Sequence, residues 1–305
     1  MEKTRPSILV VGSSNTDMVV KTDRLPGPGQ TVLGEKFIMN PGGKGANQAV
    51  AAARLGGNVT FVAKMGNDSL GAQALAQLEK EDIDCRHISA DPTTASGVAL
   101  ITVDQRGENT IAVAPGANAR LSVKDIEQAQ EAIKQSDIIL VQLEIPLETV
   151  EHLVQLGARM GKRIILNPAP AQTLPDALLK QLTIITPNET EAELLTGIPV
   201  RDATTALQAA KALQNRGVPI VIITLGGNGA LVWDAKTKTH LVPPPVQAID
   251  TTAAGDIFNG ALAVALGEGM NVNEAVKFAN QAAALSVTRL GAQASAPSRS
   301  ELEMF

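Results

Sequence analysis

Short runs rich in Val and Ile alternate along most of the 305-residue chain with longer stretches of helical period. This rhythm constrains the fold more than any other feature. Strands that are apolar throughout need cover on both faces, and the intervening helices supply it, so the expected class is α/β with a parallel sheet. Residues 8–12, 59–64, 137–142, 163–167, 184–186 and 219–224 read as strands. Residues 44–55, 69–81, 122–135, 146–160 and 202–214 read as helices, as do a segment after Asn188 and two C-terminal segments from Gly255 and Asn273.

Two regions, 18–39 and 97–114, break the rhythm with alternating strand-like segments punctuated by Pro, Gly and Asn. They are expected to leave the main sheet and pair as a small β layer, serving as a lid or an oligomer contact.

Charge and composition narrow the partners. Lys and Arg total 26 against 31 Asp and Glu, a net charge of −5 with no basic run, which argues against nucleic acid. Cys85 is the one cysteine, so no intrachain disulfide can form. The first apolar run, 8–11, is too short for a signal peptide or a membrane span, and the expectation is a cytosolic protein with no membrane partner. With five Phe, one Trp and no Tyr, little is available for stacking on a ring, and a polar ligand must be held by hydrogen bonds.

Glycine clusters are the candidate sites. Pro41-Gly42-Gly43-Lys44-Gly45-Ala46-Asn47 opens an Ala-rich helix whose free amides could face a ligand. A phosphate-binding P-loop is excluded, because Gly45 stands where Ser or Thr is required and Ile38 where Gly is. A dinucleotide fingerprint fails at Gln48, where the third glycine would fall. A turn that lets the helix enter tightly stays open. In Asp250-Thr251-Thr252-Ala253-Ala254-Gly255-Asp256, small residues at a helix start permit close approach of an anion. An acid there suits removal of a proton from a hydroxyl that attacks phosphorus, or simply favours the helix dipole. Thr186-Pro187-Asn188-Glu189-Thr190-Glu191 offers carboxylates that could orient Mg²⁺ water, although acids in a first helical turn are routine. Thr224-Leu225-Gly226-Gly227-Asn228-Gly229 reads as a β turn. His87, His152 and His240 lack metal-ligand spacing, and no Gly-x-Ser-x-Gly elbow occurs.

Taken together, Gly42-Gly43-Lys44-Gly45-Ala46-Asn47-Gln48-Ala49 and Asp250-Thr251-x-x-x-Gly255-Asp256-x-Phe258-x-Gly260 resemble the two signatures of the ribokinase family of carbohydrate kinases, with Asn188-x-x-Glu191 between them in the family's order. The similarity runs from Gly12-Ser13-Ser14-Asn15-Thr16-Asp17 to Arg289-Leu290-Gly291-Ala292-Gln293. It is strongest toward members acting on ribose, through Gln142-Leu143-Glu144 and Asn167-Pro168-Ala169-Pro170-Ala171.

The resemblance implies a single doubly wound α/β domain over residues 1–305, with a β-sheet lid at 18–39 and 97–114 that forms a homodimer contact. It implies transfer of phosphate from ATP to the 5-hydroxyl of D-ribose. Another sugar such as deoxyribose or fructose, or a sugar-binding regulator without catalysis, are the alternatives. By resemblance, Asn15, Asp17, Gly43, Lys44, Asn47 and Glu144 hold the sugar with Asp256, which is the base. Ala253, Ala254 and Gly255 build the anion hole before it. Asn188, Thr224, Gly226, Gly229, Gly255 and Asn280 match the nucleotide site, and Glu191 the residue ordering Mg²⁺ through water. A K⁺ activator would be held by Asp250 and Thr252 with Ser286, Arg289, Gly291 and Ser295, several through carbonyls. The chain departs from many relatives at Ala253, where they carry Gly, and at position 280, whose character varies among them.

Overall fold

The computed structural model describes residues 5–235 and 237–305. The first half contains β1 (Ser7–Val11), β2 (Asn15–Thr22), β3 (Gly34–Gly42), α1 (Lys44–Arg54), β4 (Asn58–Gly66), α2 (Ser69–Lys80), β5 (Asp84–Asp91), β6 (Gly97–Val103), β7 (Asn109–Ala114), α3 (Val123–Gln128), α4 (Gln130–Gln135) and β8 (Ile138–Val141). The second half contains α5 (Leu147–Arg159), β9 (Arg163–Leu166), α6 (Asp176–Leu179), β10 (Ile184–Ile185), α7 (Glu189–Thr196), α8 (Ala203–Asn215), β11 (Ile220–Thr224), β12 (Ala230–Trp233), β13 (Lys238–Leu241), α9 (Ala254–Gly267), α10 (Val272–Ser286) and α11 (Arg299–Met304).

Nine strands form the main sheet in the order β13-β12-β11-β10-β9-β8-β1-β4-β5. Every pair from β11 to β5 is parallel, and β12 and β13 close one edge as antiparallel strands. Alternation in β1 shows why both faces must be covered. Ile8 and Val10 enter the core under α1, α9 and α10, whereas Leu9 and Val11 enter the opposite core under α3 to α8. The fold is therefore doubly wound. Helices start where side chains satisfy their free amides: Asp68 caps α2, Asn188 caps α7, Asp202 caps α8 and Asn271 caps α10.

The two irregular regions form a separate four-stranded sheet in the order β3-β2-β6-β7. Its strands begin closer to the core than the sequence suggests. β2 starts at Asn15 and β3 ends at Gly42, and these two residues are register partners. The expected helix at 122–135 is two short helices meeting at Ala129, whose φ of −92° and ψ of 10° leave the helical region. β5, absent from the sequence reading, is a half-exposed edge strand with the polar sequence Asp-Cys-Arg-His, so it carries no apolar run.

Candidate active site

The parallel strands end on one rim, and each delivers a polar segment to it: Gly12–Asn15 follows β1, Gln142–Glu144 follows β8, Asn167 follows β9, and Thr186–Asn188 follows β10. Ligands bind outside the carboxyl ends of such sheets. A cleft of about 210 Å³ opens here, lined by Lys44, Asn188, Glu191, Thr224, Gly255 and Asp256 among others. A larger cavity of about 500 Å³ lies at the amino ends of β8 to β11, away from these groups.

Asp256 sits in the first turn of α9 and is only 7% exposed. Its Oδ2 accepts from Asn47 Nδ2 at 2.9 Å and its Oδ1 from Gln48 Nε2 at 2.9 Å. Burial raises its pKa and Glu144 adds to the rise, while Lys44, Gln48 and Asn47 oppose it. Burial works against the Lys44 ammonium, yet Asp256, Glu144, Glu191 and Asp17 together raise its pKa. For Asp17, burial first and then Glu144 and Asp256 push the pKa up to about 6, against Lys44. Four carboxylates thus crowd around one cation, an arrangement that favours polar ligands with hydroxyl donors.

Glycine makes the crowding possible. A Cβ at Gly42 would lie 2.4 Å from both Asp17 carboxylate oxygens, and one at Gly43, whose φ is +89°, would lie 2.6 Å from Asn15 N. Glu144 Oε2 accepts from Ser13 Oγ at 2.5 Å and from the Lys44 amide at 3.1 Å. Asn15 Oδ1 accepts from Asn118 Nδ2 at 2.7 Å, and Asn118 Oδ1 accepts the Ser14 amide at 2.9 Å. The seven residues expected to hold a sugar are in this way gathered around the junction of the two sheets.

The segment before Asp256 turns through Ala253, which has φ 60° and ψ 12°, a left-handed conformation unfavourable for alanine. The Ala254 amide donates to the Thr251 carbonyl at 3.2 Å, whereas the Gly255 and Asp256 amides have no acceptor among the described residues. A Cβ on Gly255 would meet nothing within 4 Å, so its free face is toward the cleft.

Asn188 and Glu191 form a capping box: Asn188 N donates to Glu191 Oε2 at 2.9 Å and Glu191 N to Asn188 Oδ1 at 2.8 Å. Burial raises the pKa of Glu191, against the Asn188 amide and Lys44. Thr224 bridges to Asn188 and faces the same cleft. Gly226, Gly229 and Asn280 lie outside its wall. Asn280 Nδ2 donates to the Leu241 carbonyl at 2.8 Å, and a Cβ on Gly229 would lie 2.1 Å from that same oxygen.

Asp250 stitches two loops together. Its Oδ1 accepts from the Thr252 amide at 2.9 Å and the Thr252 hydroxyl at 2.6 Å, and its Oδ2 from the Gly291 amide at 2.8 Å. Burial opposes these bonds, which nevertheless hold its pKa below the usual carboxylate range. The Val287 carbonyl, next to Ser286, accepts the Ile249 and Asp250 amides. Arg289 turns its guanidinium away to Glu301 at 2.8 Å, and the Ser286 and Ser295 hydroxyls donate to the Ala283 and Ala292 carbonyls. No group of three His, Cys, Asp or Glu able to hold a metal occurs among the described residues.

Residues outside the expected set also belong to the site. Asn118 and Ser13 fix the sheet junction, and Gln48, Asn167, Thr186 and Asn259 lie beneath Asp256. Gln48 carried a signal: with Asn47 it forms a polar pair within an otherwise small and apolar buried stretch of α1.

A family model for pfkB family carbohydrate kinase matches residues 5–299. The chain belongs to this family. It is 46% identical to a ribokinase of Haemophilus influenzae over 302 residues, covering 99% of this chain and 98% of the relative. It is 39% identical to a deoxyribokinase of Salmonella typhimurium, covering 95% of each. The structure of an Arabidopsis thaliana ribokinase complexed with ribose and ATP superposes with a TM-score of 0.90 at 31% identity, covering 99% of this chain and 98% of that one. Both signatures that place the chain in this family of sugar kinases converge at Asp256.

Proposed function

We propose that the protein transfers the γ-phosphoryl group of ATP to the 5-hydroxyl of D-ribose, giving D-ribose 5-phosphate and ADP. The observation that carries this reading is Asp256: a buried carboxylate, raised in pKa, beside unpartnered helix-start amides and facing Lys44. The ribokinases among the relatives and the Arabidopsis thaliana complex supply the sugar and the nucleotide.

Asp256 takes the proton of the 5-hydroxyl as its oxygen attacks the γ-phosphorus and ADP leaves. Within the Ala253-Ala254-Gly255 turn, the free Gly255 amide meets the charge on the transferring group while the Ala254 amide is held by the Thr251 carbonyl, and Lys44 offsets charge on the phosphates. Asn15, Asp17, Gly43, Lys44, Asn47 and Glu144 hold the sugar hydroxyls. Asn47 Oδ1 is buried without a partner, as an acceptor kept for a hydroxyl would be. Asn188, Thr224, Gly226, Gly229 and Asn280 serve the nucleotide.

Two ions fit this reading. Glu191 faces the cleft with oxygen donors alone, which suits Mg²⁺ held through water and neutralising phosphate charge. K⁺ would be held by Asp250 and Thr252 with Ser286, Arg289, Gly291 and Ser295, several through carbonyls, since oxygen donors suit that ion. The small sheet acts as a lid within one domain. Its exposed apolar residues, Phe37, Met39, Leu100, Ile111 and Val113, suit contact with a second copy. No described helix is long and apolar enough to cross a membrane, and the single cysteine favours the cytoplasm.

The test is ADP release from ATP and Mg²⁺ with D-ribose, 2-deoxy-D-ribose or D-fructose, each with K⁺ or a large organic cation. Ribose preference that rises with K⁺ is expected. A preference for deoxyribose, which the 39% identical deoxyribokinase makes the second reading, would redirect the substrate assignment. Binding of ribose without turnover would leave a regulator. Asp256→Asn is expected to lower kcat by at least about a hundredfold with the fold retained, and near-normal turnover would remove it as the base.

A further inference from the structure

Beneath Asp256 lies a chain of buried amides in which each hydrogen bond dictates the next. Gln142 Nε2 donates to Gln48 Oε1 at 2.6 Å, and both side chains are fully buried. This orients the Gln48 amide, whose Nε2 then donates to Asp256 Oδ1 at 2.9 Å and to Asn167 Oδ1 at 3.0 Å. The flipped amide would set an oxygen against two acceptors and an NH₂ against an NH₂, so one orientation alone satisfies Gln48, while Gln142 Oε1 is buried without a partner.

The chain continues to the other side of the helix start. Asn167 Nδ2 reaches the Thr186 carbonyl at 3.4 Å, the Thr186 hydroxyl donates to Asn259 Oδ1 at 2.7 Å, and Asn259 Nδ2 donates to the Gly255 carbonyl at 2.8 Å. One network therefore touches both the Asp256 carboxylate and the backbone that precedes it.

We infer that Gln48 is a positioning residue for the phosphoryl transfer proposed above: by donating to Oδ1 it fixes the direction of the Asp256 carboxylate and favours its ionised form. This inference rests on that reading. Asn47, its neighbour, donates to Oδ2 and keeps Oδ1 of its own amide unpartnered. Gln48 has no exposed surface and all of its polar atoms are engaged within the protein, so it can act on turnover without touching the sugar. The other charged groups that act on Asp256 are Lys44 from α1, Glu144 after β8, Asp17 from β2 and Glu191 from α7; none of them is altered by changing Gln48.

The experiment compares the wild type with Gln48→Leu, Gln48→Glu and Gln142→Leu for kcat, ribose KM, the acid limb of the kcat profile and thermal unfolding. For Gln48→Leu, kcat is expected to fall about tenfold to a hundredfold, with ribose KM within about threefold. Its acid limb should move to higher pH by about one unit, because a donor to the ionised form is lost. Gln48→Glu keeps the acceptor for Gln142 but turns an oxygen toward Asp256, and should move the limb at least as far. Gln142→Leu frees the amide to flip and should move it in the same direction by less. In an Asp256→Asn background, Gln48→Leu should change the residual rate by less than about twofold, since the carboxylate it acts on is gone.

A core spacer would behave differently, losing unfolding temperature with the acid limb in place. A folded Gln48 variant with the wild-type limb and kcat overturns the inference, as does failure of all three variants to fold. Absence of ribose-dependent ADP release in the wild type overturns the phosphoryl-transfer reading first, and the role of Gln48 with it.

Discussion

At the start of α1, Cβ atoms on Gly43 and Gly45 would stand 2.6 Å from the backbone nitrogens of Asn15 and Ser13, whereas at the start of α9 a Cβ on Gly255 would meet nothing within 4 Å. The two turns meet at the same carboxylate, yet their glycines answer to different constraints. Around α1 the constraint is protein against protein: the helix enters so close to the strand end that no side chain fits between. At α9 the free space belongs to whatever enters the cleft. Fold and function therefore separate by position within one site, and substitutions can pull them apart.

Gly45→Ala is the most damaging test. Its Cβ would press on backbone, 2.6 Å from Ser13 N and 2.8 Å from Gly12 Cα, which cannot rotate away as a side chain can. Destabilisation of about 2–3 kcal/mol or more is expected, read as a lower urea midpoint. A loss below about 1 kcal/mol would show that the junction yields, and the contrast with Gly255 would weaken.

Gly255→Ala should do the reverse. The methyl meets no protein atom and alanine suits a helix, so stability should stay within about 0.5 kcal/mol. Turnover should fall about tenfold to a hundredfold as the methyl displaces the transferring group from the amides. Wild-type turnover in this variant would mean that phosphate does not pass that face.

These contrasts mark what the sequence can reveal. Apolar rhythm located the six parallel strands β1, β4, β8, β9, β10 and β11 of the main sheet but not β5, β12 or β13, and alternation located the small sheet, because burial on two faces or one leaves a periodic trace. β5 left none, being a polar edge strand. The residues of the two signatures were legible as candidates, but not the reason for each glycine: Gly43 and Gly255 look alike in sequence and differ in backbone conformation, positive φ against helical, and in what stands opposite. Gln48 and Asp256 are 208 positions apart, and Asn15 and Asn118 are 103 apart, so bonds between them have no local pattern.

Asp17 of the small sheet, like the buried base, has its pKa raised by burial. Asp17 has its pKa pushed up from 3.8 to about 6, so the folded state holds its proton where the unfolded chain has lost it. Stability from this group therefore falls as pH rises from about 4 to about 6, by an amount on the order of 3 kcal/mol. Asp17→Asn should flatten that slope. For the proposed sugar contact the dependence has the opposite sense. Ribose KM should rise below about pH 6 as the acceptor is protonated, and a KM insensitive to pH between 5 and 7 would take Asp17 out of the sugar contact.

Ala253 gives the smallest effect and the finest division of the two constraints. Its φ of 60° places an alanine where glycine is at ease, at the turn that presents the Gly255 amide. Relief of the left-handed strain is worth about 1–2 kcal/mol, and the freer unfolded chain of a glycine offsets about 0.4–1 kcal/mol of it. Ala253→Gly should accordingly stabilise the protein by about 0.5–1 kcal/mol, measured as a higher urea midpoint. Turnover should change less than threefold, roughly, because the amides and the base stay in place. A destabilised variant would mean that the methyl packs to advantage. A stabilised variant with a large loss of turnover would place the rigidity of alanine, rather than space at the turn, among the requirements of the α9 start.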